Sequence, residues 1–161
     1  MKKARGFTLI EMIVVMVILG ILAAVALPKF VNMTGQARLA KMNGAVGAVQ
    51  SSITLIHAKW LSQGSPSGAT PTITAEGNVA LVPNDTTDLV NGYPAAETFL
   101  RTNENLAGLD ANFTTTGTSA TVTTITDPNG PAACAFTITE STAAGVPPAL
   151  NVAGLTEANC Q

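Results

Sequence analysis

The sequence predicts an α+β fold in which one long N-terminal helix packs on a small antiparallel β-sheet. Three features indicate it. Residues 7–27 are an almost unbroken apolar run, and residues 28–61 repeat apolar side chains at helical period. The residues after 72 carry short β-branched runs between turn sequences. We therefore divide the chain into a basic segment 1–6, a helix 7–61 and a globular part 62–161.

The apolar run is long enough to cross a membrane. It contains 21 residues from Phe7 to Leu27, of which only Thr8 and Glu11 are polar. At 1.5 Å per residue this helix would be about 31 Å long, the thickness of a bilayer core. The bases of residues 1–6 predict a cytoplasmic N-terminus, with the rest of the chain outside. A secretory signal peptide is the alternative, but its apolar stretch is shorter and ends in a small-residue cleavage site.

The second half of the helix carries two stripes of different bulk. The bulky stripe predicts the face that packs on the globular part, and the bare stripe predicts close approach of helices from neighbouring subunits. A simple coiled coil is the alternative, but Gly44 and Gly47 each cost about 1 kcal/mol relative to Ala in an isolated helix. The bulky stripe comprises Leu39, Met42, Val46, Val49, Ile53, Ile56 and Trp60. The bare stripe comprises Ala40, Gly44, Gly47, Ser51, Thr54 and Ala58.

Two residues weaken the helix between its apolar and amphipathic halves. Pro28 lacks an amide hydrogen and clashes with the preceding turn, and Gly20 is a poor helix former. The stretch from Gly20 to Pro28 is therefore the one most prone to kink or unwind. In a membrane it should stay closed, because unsatisfied backbone is costly there.

The globular part reads as a connecting loop followed by a sheet. Residues 64–72 form a breaker cluster that ends the helix, and residues 91–108 predict a turn and then a short helix that begins near Pro94 and ends at Gly108. Three or four short antiparallel strands are predicted, within residues 73–82, 113–126, 134–140 and 149–155. Such a sheet needs a cover on one face, and the bulky stripe is the available cover.

The charge distribution and the cysteine content restrict the classes of function that the chain can have. Residues after 61 carry one base against nine acids, a net charge of −8, so the head is not expected to bind nucleic acid. In an exported chain the lone pair Cys134 and Cys160 predicts a disulfide that closes a C-terminal loop, whereas a cytosolic chain would hold two buried thiols. No catalytic constellation, metal-ligand spacing or cofactor motif emerges, so we expect no enzyme, no metal and no cofactor.

The N-terminal sequence GFTLIEMIVVMVILGILAAVALP resembles the class III signal and N-terminal helix of type IV pilins. Gly6, Phe7 and Glu11 stand at the family's motif positions, and Gly20 and Pro28 stand where the family loosens its helix. The resemblance implies the ladle-shaped pilin fold, removal of the leader 1–6 by a prepilin peptidase and N-methylation of the new amine at Phe7. The segments LPKFVNMTGQAR, HAKWLSQG and NGYP, with the cysteine pair, are similar to pilins of the mannose-sensitive haemagglutinin group.

Glu11 is then expected to direct assembly. A carboxylate within an apolar helix is costly and usually functional. When helices bundle in a filament, the amine created at Phe7 is the natural partner for Glu11, and such a pair fixes axial register. The assembly residues predicted are Glu11, Gly20, Pro28, Gly44 and Gly47.

These inferences predict a structural subunit of a type IV pilus-like filament, used in adhesion, surface motility or a related role. Its partners would be copies of itself, the prepilin peptidase and N-methyltransferase, and an inner-membrane assembly platform. It would span the inner membrane before assembly and stand in an extracellular pilus afterwards. The alternatives are a type II secretion pseudopilin, which shares this N-terminus, and a minor pilin.

Overall fold

The structure is a computed structural model that describes residues 7–68, 72–75, 79–83, 85, 87–100, 106–109 and 112–161. Its first element is the 54-residue helix α1, Leu9–Ser62. The helix is unbroken through Gly20 and Pro28, so the stretch most prone to kink is closed here. It ends where Gly64, at φ +82°, and Ser65, at φ +55°, leave helical geometry.

Four antiparallel strands form the main sheet. They are β5 (Thr114–Ser119), β6 (Val122–Thr126), β7 (Ala135–Thr139) and β8 (Ala149–Asn151), and they pair in sequence order. One face buries Ile125, Phe136 and Ile138, while the opposite face carries mostly threonine. Together with α1 this confirms the predicted α+β class.

Two short hairpins precede the main sheet. Strands β1 (Ile73–Thr74) and β2 (Ala80–Leu81) pair with each other, and β3 (Leu89–Val90) pairs with β4 (Tyr93–Pro94). The single strand predicted over 73–82 is therefore wrong. The Ala75 amide donates to the Val79 carbonyl at 2.6 Å and folds this segment back on itself.

The turn predicted at the start of residues 91–108 is present, but the short helix predicted from Pro94 to Gly108 is wrong in type. Its described residues form the end of β4 and two 3₁₀ segments, Ala96–Leu100 and Leu106–Gly108, and residues 101–105 lie outside the described chain. Positive φ at Asn91 and Gly92 makes a tight hairpin turn. The Thr98 hydroxyl lies 2.8 Å from the Asp88 carbonyl and ties the first 3₁₀ segment to β3.

The segment 113–126 is a hairpin and not one strand. Residues Ala120 and Thr121 turn the chain between β5 and β6, so the four-stranded sheet takes two of its strands from this one segment. The predicted strands at 134–140 and 149–155 correspond to β7 and to the shorter β8.

The core lies between α1 and these sheets. The bulky stripe supplies four buried side chains, and its other three members are half-buried. Ala45 and Ser52, which lie beside the stripe, are also buried, because their small side chains let the globular part approach the helix. The helix contributes Met42, Val49, Ile53 and Ile56 to a cluster that includes the sheet's Ile125, Phe136 and Ile138.

Candidate assembly surface

The first third of α1 stands clear of the head in the described structure. The segment Leu9–Leu27 has 19 residues and a mean hydropathy of 2.9, and no part of it is buried. Its length and composition are those of a membrane-crossing helix. Phe7, which would begin the mature chain, is 83% exposed. The predicted cleavage partner Gly6 lies outside the described residues.

Glu11 is bound by the residue that caps its own helix. The Thr8 amide donates to Glu11 Oε2 at 2.8 Å, the Thr8 hydroxyl donates to the same oxygen at 2.8 Å, and the Glu11 amide donates to Thr8 Oγ1 at 3.3 Å. This is a capping box, in which two helix N-terminal donors are satisfied reciprocally. Within one subunit the carboxylate is therefore hydrogen-bonded, although it has no counter-ion among the described residues.

The bare stripe faces away from the head. All six of its residues are exposed. A methyl group built on Gly20, Gly44 or Gly47 would find no atom within 4 Å in the subunit. Nothing in the described fold therefore requires glycine at these three positions, and a requirement must come from outside the subunit.

The C-terminal loop contacts α1 near Gly35 and Arg38. Cys134 and Cys160 form a disulfide with Cα atoms 4.8 Å apart, as predicted, and both are fully buried. The carbonyl of Cys160 accepts from the Arg38 guanidinium at 3.4 Å. A methyl group on Gly35 would come within 2.8 Å of the Gln161 side chain, so the chain end lies directly on the helix there.

One ion pair connects the middle of α1 to the sheet. Lys41 Nζ lies 2.8 Å from Asp127 Oδ1 and also donates to the Asn112 carbonyl at 2.9 Å. The side chain of Asp127 is only 4% exposed. The Lys41 hydrogen bond lowers the pKa of Asp127 despite its burial. Sequence reasoning missed this pair, since the two residues are 86 positions apart.

A second carboxylate in the head, that of Glu140, has its pKa shifted in the opposite direction. Burial raises the pKa of Glu140, and the nearby charge of Glu97 raises it further. Glu140 Oε1 is buried without a hydrogen-bond partner. Among the described residues there is no group of three or more His, Cys, Asp or Glu that could hold a metal ion.

Residues 1–27 match the family described as the prokaryotic N-terminal methylation motif. The chain is 35% identical over 99 residues to the type IV narrow pilus major component PilA5 of Thermus thermophilus, covering 60% of this chain and 85% of that protein. It is 36% identical over 76 residues to a fimbrial protein of Neisseria meningitidis, covering 45% of each. No solved structure matches.

A third relative extends further along the chain. The fimbrial protein of Moraxella nonliquefaciens is 29% identical over 126 residues, covering 74% of this chain and 72% of that protein. The fold and the exposed apolar helix with its single carboxylate define a filament subunit anchored by its N-terminus. With 85% of the Thermus protein covered, the chain belongs to the type IV pilin family.

Proposed function

We propose that this type IV pilin is processed between Gly6 and Phe7, N-methylated at Phe7, and polymerised through its N-terminal helix into an extracellular filament. The chain is a structural subunit, and the names of its relatives as pilus and fimbrial proteins favour a pilus over a secretion pseudopilin. Before assembly it would span the inner membrane through residues 7–27, with a cytoplasmic N-terminus. Its partners there would be the prepilin peptidase and the assembly platform.

The observation that carries this proposal is the state of Glu11. Its carboxylate is the one charge on the apolar span, and it is held by Thr8 alone among the described residues. When a neighbouring helix arrives, the amine at Phe7 offers a charged donor in place of a neutral hydroxyl. Hydrogen bonds between ionised groups are roughly twice as strong as neutral ones. Assembly would then exchange Thr8 for the amine and fix the register of the two helices.

The bare stripe supports close packing of neighbouring helices, in addition to the charge pair at Glu11. Its exposed small residues allow close approach over residues 40–58, where a larger side chain would hold two helices apart. In a filament the helix could unwind locally between Gly20 and Pro28, because these two bounding residues are the poorest helix formers of that stretch.

A substitution at Glu11 tests the charge pair. Glu11→Ala should still insert and be cleaved, since the span becomes more apolar and the cleavage site is unchanged. The new amine would then be buried without a counter-ion, which disfavours docking by several kcal/mol. We expect processed subunit in the membrane fraction and few or no fibres by electron microscopy.

Two matched variants complete that experiment. Glu11→Asp keeps the charge on a shorter arm and should restore part of the fibre yield, whereas Glu11→Gln should not. Thr8→Val removes the intramolecular hydroxyl donor but leaves the carboxylate, so fibres should persist. Normal fibre number and length in the Glu11→Ala strain would refute the charge pair and make Glu11 a recognition element for the peptidase or methylase.

Processing has its own test. Mass spectrometry of purified fibres should find a chain that begins at a methylated Phe7. Fibres containing intact residues 1–6 would contradict the proposal. The same measurement identifies the main fibre component, and finding this chain only in trace amounts would make it a minor pilin.

The finer grouping is also a proposal. The segments HAKWLSQG and NGYP and the cysteine pair support a place among pilins of the mannose-sensitive haemagglutinin group. Mannose-sensitive agglutination of erythrocytes by cells that carry these fibres would support it, and agglutination unaffected by mannose would count against it.

A further inference from the structure

Three asparagines of this chain are followed directly by glycine, at Asn43, Asn91 and Asn129. The carboxamide carbon of such an asparagine can be attacked by the backbone nitrogen of the glycine, which is the least hindered residue because it lacks a Cβ atom. The attack requires the backbone to bend until that nitrogen reaches the side chain. The local structure of each pair therefore decides whether it reacts in the folded chain.

The first pair is protected by helix α1. Asn43 and Gly44 are exposed, but they lie well inside the 54-residue helix, between the buried residues Met42 and Ala45. In an α-helix each backbone N–H is bonded to the carbonyl four residues earlier, so the Gly44 nitrogen is held in the helical ladder. The nitrogen can reach Asn43 only after a turn of the helix has opened and pulled its neighbours from the core. We therefore expect Asn43 to react slowly.

The second pair is protected by contacts of the β3–β4 turn. The Asn91 side-chain amide donates to Ser141 Oγ at 3.1 Å, so the group that deamidation would remove is bound. Gly92 is buried against the indole of Trp60, where an added Cβ atom would overlap the ring. The Gly92 carbonyl lies 3.0 Å from His57 Nδ1. The turn is therefore fixed on both sides of the bond that would have to rotate.

The third pair occupies the exposed turn between β6 and β7. Asn129 is exposed, and among the described residues no hydrogen bond holds its carboxamide. One backbone hydrogen bond holds the Gly130 nitrogen, from its N–H to the Asp127 carbonyl at 3.0 Å. A second, from the Asn129 N–H to Asp127 Oδ1 at 3.2 Å, completes the turn. Residues 128–130 contribute no side chain to the hydrophobic core, so the turn can bend without disturbing it.

We propose that Asn129 is a site of spontaneous deamidation in the folded chain. The Gly130 nitrogen bonds to Asn129 Cγ and loses its proton, the bond from Cγ to the side-chain nitrogen breaks, and ammonia leaves with that proton. Water then opens the cyclic imide at either of its carbonyls. One opening gives aspartate at position 129, and the other gives isoaspartate, in which the main chain runs through the former side chain. Water is the co-reactant, and nothing is oxidised or reduced.

The product changes a turn that joins the sheet to α1. Asp127 Oδ1 accepts from Lys41 Nζ at 2.8 Å and also from the Asn129 N–H. The turn lies against the helix, since a Cβ atom on Gly130 would be 3.5 Å from Arg38 Cδ. Isoaspartate lengthens the main chain and so displaces the N–H that positions the Asp127 carboxylate. We therefore expect the aged chain to hold its sheet less firmly on α1 and to have a lower Tm.

Peptide mass spectrometry on the ageing subunit tests the site. The full-length chain is incubated in detergent at mildly alkaline pH, and the acid formed at each asparagine is followed over time with fragmentation that distinguishes isoaspartate. We expect conversion at Asn129 to be at least roughly tenfold faster than at Asn43 or Asn91, a difference of about 1.4 kcal/mol in the free energy of reaching the reactive geometry. Equal rates, or faster conversion at either of the other sites, would overturn the inference. The subunit is measured by itself, so the outcome does not depend on whether it forms filaments.

Two controls show whether the fold selects the site. In concentrated urea the three pairs should convert at similar rates, because they share the same dipeptide and have lost their different surroundings. A persistent excess at Asn129 in urea would assign the selectivity to sequence and overturn the structural argument.

Asn129→Gln is the matched variant for the effect on stability. It lengthens the side chain, which disfavours ring closure, and it keeps the backbone N–H through which position 129 binds Asp127. This variant should keep its Tm on incubation, while the Tm of the natural chain falls. An unchanged Tm of the natural chain after full conversion would refute the predicted weakening.

Discussion

The two faces of the amphipathic half of α1 should respond in opposite ways to substitution. Ile53 is 4% exposed within the core, and Ile→Ala at such a site costs about 2–5 kcal/mol of unfolding free energy. For a head of this size each kcal/mol lowers Tm by roughly 4–8 °C. Ile53→Ala should therefore lower Tm by roughly 8–40 °C. At Gly47, by contrast, an added Cβ atom meets nothing within 4 Å outside the helix's own backbone.

A graded series at Gly47 isolates the intermolecular contact. Gly47→Ala and Gly47→Leu should leave Tm unchanged or raise it slightly, because both replacements are better helix formers by about 1 kcal/mol or less. Fibre yield should fall from glycine to alanine to leucine, since each added carbon separates neighbouring helices. The Tm is read by circular dichroism on detergent-solubilised subunit, and the yield by electron microscopy of sheared fibres. The reverse pattern, a stable Ile53→Ala head that forms few fibres and a destabilised Gly47→Leu head that still forms them, would mean that the two faces are assigned backwards.

Three further predictions concern the head. Asp127→Asn should flatten the acid-induced fall of Tm, because a lowered folded-state pKa gives stability that is present at neutral pH and is lost as pH falls below the unfolded value of about 3.9. Glu140→Gln should raise Tm at pH 7, because burial and the charge of Glu97 raise the pKa of Glu140 and its ionisation disfavours folding; the gain should vanish in acid. Reducing the disulfide should lower the unfolding free energy by about 3.5 kcal/mol in the chain-entropy model, measured by urea unfolding with and without reductant.

Each of these three predictions has a control or an outcome that would contradict it. The exposed Glu157→Gln controls for loss of one negative charge, and an equal rise in Tm there would assign the Glu140 effect to net charge. Parallel acid curves for Asp127→Asn and the natural chain would mean that the Lys41 pair contributes nothing. Peptide mapping without reductant should recover the linked peptides, and two alkylatable thiols in the exported protein would contradict the structure.

The helix could be predicted from the sequence because its signal is repeated. Apolar residues recur over seven positions of one stripe, so no single residue decides the prediction, and the predicted face is the one that packs on the head. The periodicity does not predict how many residues beside the stripe are also buried. Ser52 is polar and Ala45 small, yet both are buried, because the head approaches closest where side chains are short.

The sequence predicted that the head contains antiparallel strands, but it did not predict where most of them begin and end. Strands β1 to β4 have two residues each, too few for any alternation pattern to appear in the sequence. Their positions depend on contacts between distant residues, such as that of His57 Nδ1 on α1 with the Gly92 carbonyl in the β3–β4 turn, at 3.0 Å. The Asn91-Gly92 pair correctly predicted a turn. The residues after it favour a helix, so an α-helix was predicted there, but the structure forms 3₁₀ segments.

The assembly site shows a different limit of sequence reasoning. The burial cost of Glu11 suggested an unpaired charge that awaits a partner, but the pattern Thr8-x-x-Glu11 is also a capping signature, and the structure forms that cap. The carboxylate is therefore satisfied before assembly. If Glu11 pairs with the Phe7 amine of a neighbour as proposed, the free energy available for docking is the difference between a cap formed by the Thr8 amide and hydroxyl and a pair with a charged amine. A difference of that kind can fix register while leaving subunit addition reversible, which suits a filament that draws its subunits from a membrane.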